Sequence, residues 1–472
     1  MPEIHELSAA DLRAAYDARS LSPIEVVDAL YERIDRLEPS LRAFITQTRE
    51  EARSQAKLAA REWRFRESDE PPALLGIPIT IKDLVDVQGA PTTMGSLVTS
   101  RQPAARDELF VERLREAGAV FLGKTNTSEF GLAAQTMNRL GAPTANPWNI
   151  ERTAGGSSGG AAAACAAGYG PLHHGTDGGG SVRVPAACCG VFGFKPTGRR
   201  IPRRSRGAGM SQISSDGVLA RSVVDIAMMM TAMSDDAHSD PIAYRDGYHS
   251  WFHSIEQEDV KGLRVAWTTQ LGWPTPCEPE IAQRVERAAA LLSGSGARVE
   301  EASPPIADPN EVFPTLSAVG AAANYGLLCV GREEDLSDYT QGSLRRGRSL
   351  TGVQVAQAYA DLDVLQRRMR AWFQQYDILL TPTSAISALR HGESIDFIAG
   401  KHVSPWTTSI LYTPLANLIQ SPAIAVPAGL DSSGLPISVQ LVAKEGNDAA
   451  VLRCAAMLDA AGLNETSRLA PV

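Results

Sequence analysis

The chain has 472 residues, 44% of them hydrophobic and 21% charged, which is ordinary globular material with enough apolar content for a large core and argues against disorder. A net charge of −9 excludes a global basic footprint for nucleic acid, and no apolar run approaches the about 20 residues that cross a bilayer. Six cysteines (Cys165, Cys188, Cys189, Cys277, Cys329 and Cys454) lack CxxC spacing; with no apolar leader at the N-terminus they read as reduced, mostly buried thiols of a cytoplasmic protein.

In chain order, the first 65 or so residues read as helical. Ser22-Pro23-Ile24-Glu25 is a capping box with proline at the first helical position. Val26, Val27, Leu30, Ile34 and Leu37 follow on one helical face, and Glu38-Pro39 is expected to stop that helix. A second helix is expected over Leu41 to Ala60, and the charged residues Arg61 to Pro72 read as a surface connection. From Leu74 the texture changes. Ile77 to Lys82 is a short apolar strand; Leu109 to Ala117 is an amphipathic helix capped by Gly118 and followed by strand Ala119 to Leu122. A glycine- and alanine-rich stretch runs from Gly155 to Gly198, and residues 235–260 read as polar loop. Helices are expected at Glu280 to Leu292 and Val353 to Trp372, and a hairpin turning at Asp431-Ser432-Ser433-Gly434 over Ala423 to Val442. The pattern predicts an N-terminal helical arm, residues 1–65, and one large α/β domain, residues 66–472.

Three places break local rules in ways chemistry would explain. Lys82 ends an apolar strand, where lysine is rarely buried unless paired; taken alone, a strand-end lysine reaching solvent is the commoner case. Gly155-Gly156-Ser157-Ser158-Gly159-Gly160 opens the helix-prone run Ala161 to Ala167, so its N–H groups can point outward. In Gly175-Thr176-Asp177-Gly178-Gly179-Gly180-Ser181-Val182-Arg183-Val184-Pro185, three glycines before a serine let several N–H groups converge on one point, the geometry of an oxyanion hole. For each glycine loop a plain turn is the alternative.

Together these segments resemble the amidase signature family, over nearly the whole chain. Further matches are Gly76 to Asp83, Gly123-Lys124-Thr125-Asn126, Asn146-Pro147-Trp148, Gly193 to Arg199, Tyr376 to Pro382 and Ser421 to Gly429. The resemblance implies a central mixed sheet sandwiched by α-helices. It also implies hydrolysis of a carboxylic amide or related C–N acyl bond through a serine acyl-enzyme, without metal or organic cofactor. By motif position the family's lysine falls on Lys82, its serine held through a cis peptide on Ser157, and its nucleophile on Ser181. The N–H groups of Gly178, Gly179, Gly180 and Ser181 would form the oxyanion hole; Gly178 departs from the larger residue common there. Asp177 and Arg183 are expected to brace the loop, and Ser158 to support it near the lysine.

Substrate choice is expected in variable loops, around Asn324, Tyr325 and Cys329 and around Trp406 and Tyr412, with ordinary core aromatics as the equal alternative. The expected partner is a small amide-type molecule, not nucleic acid or membrane, and a homodimer is one assembly open to the chain. The runner-up function is that of the amidase component of a glutamyl-tRNA amidotransferase, working with a second protein; the segment such components carry looks degraded across His391 to Thr408. A silent scaffold is the third reading, opposed by retention of all three catalytic positions.

Other signals mislead. Gly118 to Thr125 fits the P-loop pattern, but its first glycine ends a helix and Ala119 to Leu122 reads as the strand itself. Gly155-Gly156-Ser157-Ser158-Gly159 fits the nucleophile elbow, with His391 and His402 available, yet no strongly apolar strand leads into it. Ser54-Gln55-Ala56-Lys57 lies on a polar helix without companion motifs, and the adjacent His173 and His174 would point to opposite faces of a strand rather than share a metal.

Overall fold

The computed structural model describes residues 3–65, 70–204, 207–234, 240–245, 251–252, 255, 260–309, 312–404, 408–464 and 469–472. Most of the expected loop at 235–260 and part of the connection at 61–72 lie outside them.

Three helices open the chain: α1 (Ala9–Asp17), α2 (Pro23–Leu41) and α3 (Arg49–Phe65). Ser22 and Glu25 make the expected capping box. The helix does not stop at Pro39. It runs on to Leu41 and ends where Arg42 turns left-handed at φ 53°, because a proline this close to the end removes one N–H from a turn that is already finishing. The helix expected from Leu41 begins only at Arg49, and Phe44–Gln47 is a strand, β1. β1 pairs antiparallel with β3 (Val120–Thr125), so the sheet's need for an edge partner overrides local helix propensity there.

The remaining strands of the central sheet are β2 (Pro78–Lys82), β6 (Leu172–Asp177), β7 (Phe192–Lys195), β8 (Ser215–Ala220), β9 (Arg264–Trp267), β10 (Arg298–Glu301), β11 (Ile378–Pro382), β14 (Ala423–Leu430) and β15 (Pro436–Ala443). Among the described residues they form one eleven-stranded sheet, ordered β1-β3-β2-β6-β8-β7-β14-β15-β11-β9-β10. It is mixed. β2 runs parallel to β3 and β6, and β9 runs parallel to β10 and β11. The pairs around β8, β7, β14 and β15 are antiparallel. Two small ribbons stand apart, β4 (Ala145–Asn146) with β5 (Asn149–Thr153), and β12 (Phe397–Ile398) with β13 (Lys401–His402). Helices sandwich the central sheet, among them α4 (Leu109–Glu116), α5 (Gly159–Ala166), α6 (Arg183–Cys189) and α7 (Val223–Ser234).

Composition explains the middle of the molecule. Every residue of α5 is buried, and it packs on β2, β6 and α6. A helix made almost wholly of Gly and Ala can lie close to a sheet on one side and a helix on the other, since no side chain longer than a methyl or a thiol holds the backbones apart. Its position puts the two glycine loops side by side. The expected helices over 280–292 and 353–372 appear as Pro279–Gly294 and Gly352–Trp372, and the expected hairpin appears as β14–β15.

Candidate active site

Lys82 is the last residue of β2, and all five residues of that strand are buried. It does not reach solvent; it is wholly buried. Its Nζ lies 2.6 Å from Ser157 Oγ, 2.8 Å from Ser158 Oγ and 2.8 Å from Thr176 Oγ1. Among the described residues no carboxylate touches it. Burial holds the amine well below the usual lysine value, against Asp177 and Asp216, which act to raise it, and with help from Arg203. A neutral amine has two N–H donors and one lone pair. The Ser158 hydroxyl donates to Thr176 O at 3.3 Å, so Ser158 Oγ accepts from the amine. Of the two remaining hydroxyls, Ser157 is the nearer to the amine, at 2.6 Å against 2.8 Å for Thr176.

The first glycine loop places Ser157 and Ser158. The Gly156–Ser157 peptide is cis. A Cβ on Gly156 would meet the backbone of Ala134 and Gln135 at 2.7 Å, so only glycine lets these two segments touch. The second loop places Ser181 between β6 and α6, and the Ser158 N–H donates to Ser181 O at 3.1 Å, tying the loops together. Ser157, Thr176, Gly178, Gly179 and Ser181 all line one cavity of about 630 Å³. Among the described residues no hydrogen bond joins the Ser181 hydroxyl to Ser157.

The second glycine loop commits one of its N–H groups within itself. Gly180 N–H donates to Asp177 Oδ1 at 2.7 Å and is committed there. The N–H groups of Gly178, Gly179 and Ser181 make no hydrogen bond among the described residues. Asp177 and Arg183 brace the loop as a buried pair, Nη2 to Oδ1 at 2.8 Å and Nε to Oδ2 at 3.0 Å. Arg183 also reaches Thr413 O, Gln440 Oε1 and Asn417 Oδ1. Burial alone would raise the Asp177 carboxyl, but the Arg183 guanidinium, with Lys195 and Asn417, holds it below the usual carboxylate range.

The pocket residues sort differently from the sequence expectation. Tyr325 lines the cavity and stacks on Phe130, ring centroids 4.3 Å apart. Asn324 lines it too, while its side chain holds the Ala208 and Ser211 segment. Cys329 is buried beneath Phe130 and Tyr325 and is not part of the wall. Tyr412 is a core residue and not part of the cavity lining, its hydroxyl donating to Thr269 O at 2.7 Å and Pro276 O at 3.3 Å, because a buried phenol must find an acceptor. Trp406 lies outside the described residues. Thr176, Phe130 and Arg203 were missed from the sequence. Thr176 sits inside the glycine motif and was open to the same reasoning; Phe130 and Arg203 carry no local signal.

The misleading motifs are accounted for. Gly118 follows α4 at φ 83°, and the residues after it form β3. Lys124 is buried in an ion pair with Asp83 at 3.0 Å. β5, which leads toward Ser157, belongs to a small ribbon rather than the central sheet. His391 Nε2 lies 3.0 Å from Ile150 O, and His402 is exposed on β13. Ser54 and Lys57 are exposed on α3. His173 pairs with Thr80 Oγ1 and Gly170 O, and His174 with Asp216. No cluster of His, Cys, Asp and Glu fit for a metal occurs among the described residues, and no described helix is long and apolar enough to cross a membrane.

Residues 25–452 match the model of the amidase family. The sequence is 37% identical over 461 residues to an acylamidase of Rhodococcus erythropolis, covering 97% of this chain and 96% of that one. It is 34% identical over 481 residues to one component of the glutamyl-tRNA(Gln) amidotransferase of Roseiflexus sp. (strain RS-1), covering 96% of each. The fold superposes on the crystal structure of a bacterial aryl acylamidase of the amidase signature family with a TM-score of 0.90 at 27% identity, covering 98% of this chain and 97% of the other.

Proposed function

The chain belongs to the amidase family and hydrolyses amide C–N bonds, and we propose that it does so through an acyl-enzyme on Ser181, with Ser157 and Lys82 as the proton relay. The observation that carries this reading is the buried contact of Lys82 Nζ with Ser157 Oγ at 2.6 Å, with no carboxylate on the amine among the described residues. Ser181 Oγ attacks the amide carbon while its proton passes to Ser157, whose own proton moves to the Lys82 lone pair. The N–H groups of Gly178, Gly179 and Ser181 receive the developing oxyanion. As the C–N bond breaks, Lys82 returns its proton through Ser157 to the departing amine, which makes that amine a viable leaving group. Water then enters, gives its proton to the same relay, and releases the acid and Ser181. The small-molecule substrate occupies the cavity whose apolar wall includes Phe130, Tyr325, Leu132 and Phe313.

The test is a panel of aliphatic amides, anilides and hydrazides assayed with the purified chain, together with labelling by a fluorophosphonate. Labelling and turnover are both expected, and both are expected to vanish in Ser181→Ala. Labelling that persists in Ser181→Ala would remove the nucleophile assignment. A glutamine arm tests the amidotransferase reading, which the Roseiflexus relative supports: that reading expects glutamine to be cleaved and a second protein to copurify, and turnover of anilides without either outcome argues against it.

A further inference from the structure

Behind the Lys82 strand lies a line of buried polar side chains that the relay does not use. The parallel ladder between β2 and β6 pairs Ile79 with Leu172 and Thr80 with His173. Two residues on, the Lys82 N–H donates to the imidazole Nδ1 of His174 at 3.3 Å. That fixes the tautomer: Nδ1 accepts, so Nε2 carries the proton and donates to Asp216 Oδ1 at 3.0 Å. Arg203 closes the line, its Nε on Asp216 Oδ2 at 2.5 Å and its Nη2 on Oδ1. His174 and Asp216 are buried, and Phe110 covers the imidazole with ring centroids 4.8 Å apart. Arg203 differs from them in forming part of the cavity wall.

The charges around Lys82 come in matched pairs. Asp177, at the end of β6, is matched by Arg183, and the buried Lys195 on β7 acts on it as well. Asp216, on β8, is matched by Arg203. Asp83, next along from β2, is matched by Lys124 on β3. The imidazoles of His173 and His174 are kept neutral by burial. Removing one cation from this set leaves a bare carboxylate in a low-dielectric region that also holds the amine, and a bare carboxylate favours the ammonium form.

We propose that Arg203 is a positioning residue for amide cleavage: it holds Asp216, and through it His174, so that the end of β2 stays in place and no unmatched carboxylate faces the Lys82 amine. The proposal rests on Lys82 being the base. It accounts for a bidentate ion pair and an imidazole standing where a β2–β6 backbone bond would otherwise be expected. The effects on Lys82 run in the required directions: after burial, Asp177 and then Asp216 act to raise its proton affinity and Arg203 to lower it.

The experiment is the pH dependence of kcat/KM for the full chain and for Arg203→Gln, Arg203→Lys, the double variant Arg203→Gln/Asp216→Asn, and Lys82→Met. In Arg203→Gln the acid limb is expected to move up by about one pH unit, with the rate recovering toward the parent's at high pH. Arg203→Lys, which keeps the charge, is expected to leave the limb near the parent's. The double variant buries no unmatched charge and is expected to bring the limb back, so it carries the test even if the single variant fails to fold. A loss in Arg203→Gln that is equal at every pH, or a raised KM with the limb unmoved, overturns the proposal and leaves Arg203 as cavity wall. So does a limb displaced upward in the double variant. Lys82→Met separates the two levels: if it keeps the parent's acid limb, the base assignment itself fails; if it abolishes the limb while Arg203→Gln leaves it in place, only the role of Arg203 fails.

Discussion

The Gly180 N–H donates to Asp177 Oδ1 at 2.7 Å, three residues back along the same loop. Asp177 Oδ2 takes the Val182 N–H at 3.1 Å and the Arg183 Nε at 3.0 Å, so the loop that carries Ser181 is wound around one buried carboxylate. The shape of the loop therefore depends on an acceptor with no protons. Asp177→Asn keeps one oxygen for Gly180 but aims an amide NH₂ at the Val182 and Arg183 donors. We expect it to cost about 3–5 kcal/mol, the penalty of a broken buried pair, read as a lowered urea midpoint, with kcat lost at temperatures where the protein is still folded. A destabilisation below about 1 kcal/mol would show that the carboxylate is not what shapes the loop.

Gly179 sets the distance between that loop and the cavity wall. A Cβ there would lie 2.3 Å from Phe313 Cζ, which no side-chain adjustment short of moving the ring can accommodate. Gly179→Ala is expected to lower kcat by about 10²–10³-fold, the scale of losing one oxyanion donor, with a smaller change in stability. Phe313→Ala placed on top of it should restore part of kcat. Failure of the second substitution to recover any activity would mean that the defect lies in the loop backbone and not in the contact with the ring.

With Lys82 as the proposed base, its burial predicts the pH dependence of the reaction. A base works when unprotonated, so kcat/KM should rise with pH through the lysine's depressed pKa and level off above it. The rise is expected well below the 10.5 of an ordinary lysine. Lys82→Ala should lower kcat by at least about 10²-fold without unfolding the chain. Ser157→Ala should slow acylation in a single turnover far more than it weakens substrate binding. A limb near pH 10.5 would indicate that the amine is charged in the resting enzyme.

Two tyrosines flagged alike by the sequence part company in the structure. Tyr412→Phe removes hydrogen bonds to Thr269 O and Pro276 O and should cost about 1 kcal/mol of stability with kcat/KM held within about twofold. Tyr325→Ala removes half of the stack on Phe130 and should raise KM for bulky apolar amides with little effect on kcat for the smallest ones. An equal effect of both on KM would return Tyr412 to the pocket.

What was legible in the sequence follows the physics of each feature. Helix caps, the β14–β15 turn and the strand at 78–82 are local, and Ser22, Asp431 and the apolar run announce them. The glycine loops are also readable, because close backbone approach at Gly156 leaves only one residue type. The helix expected from Leu41 failed because residues Phe44–Gln47 pair with β3, a partner far along the chain that no local pattern reveals. Cys329 and Tyr412 could not be told apart from Tyr325, because an aromatic or thiol near a binding loop looks the same whether it faces the cavity or the core. Arg203, Asp216 and His174 could not be assembled from sequence at all, since the line that joins them crosses β2, β6 and β8.

The second buried imidazole, His173, bears on acid stability. His173 Nε2 donates to Gly170 O at 3.1 Å, which leaves Nδ1 to accept from the Thr80 hydroxyl at 2.9 Å. A second proton on the ring would bury a charge and turn a donor onto a donor. Burial first, and Arg221 with it, pulls the His173 pKa from 6.5 down to about 3. In the unfolded chain the ring titrates near 6.5. Between those two values the unfolded state holds the extra proton, so the stability present above pH 6.5 drains away as pH falls toward 3, by up to about 1.4 kcal/mol per pH unit. Asp225 and Glu38 act in the opposite sense, since burial raises their carboxyls to about 6 and about 7, so the wild-type profile alone mixes signs. The difference between wild type and His173→Gln isolates the ring. Urea midpoints at pH 7, 5.5 and 4.5 should show the wild type losing ground to the variant step by step below pH 6.5. A difference that stays constant with pH would mean that the imidazole binds its proton equally well folded and unfolded.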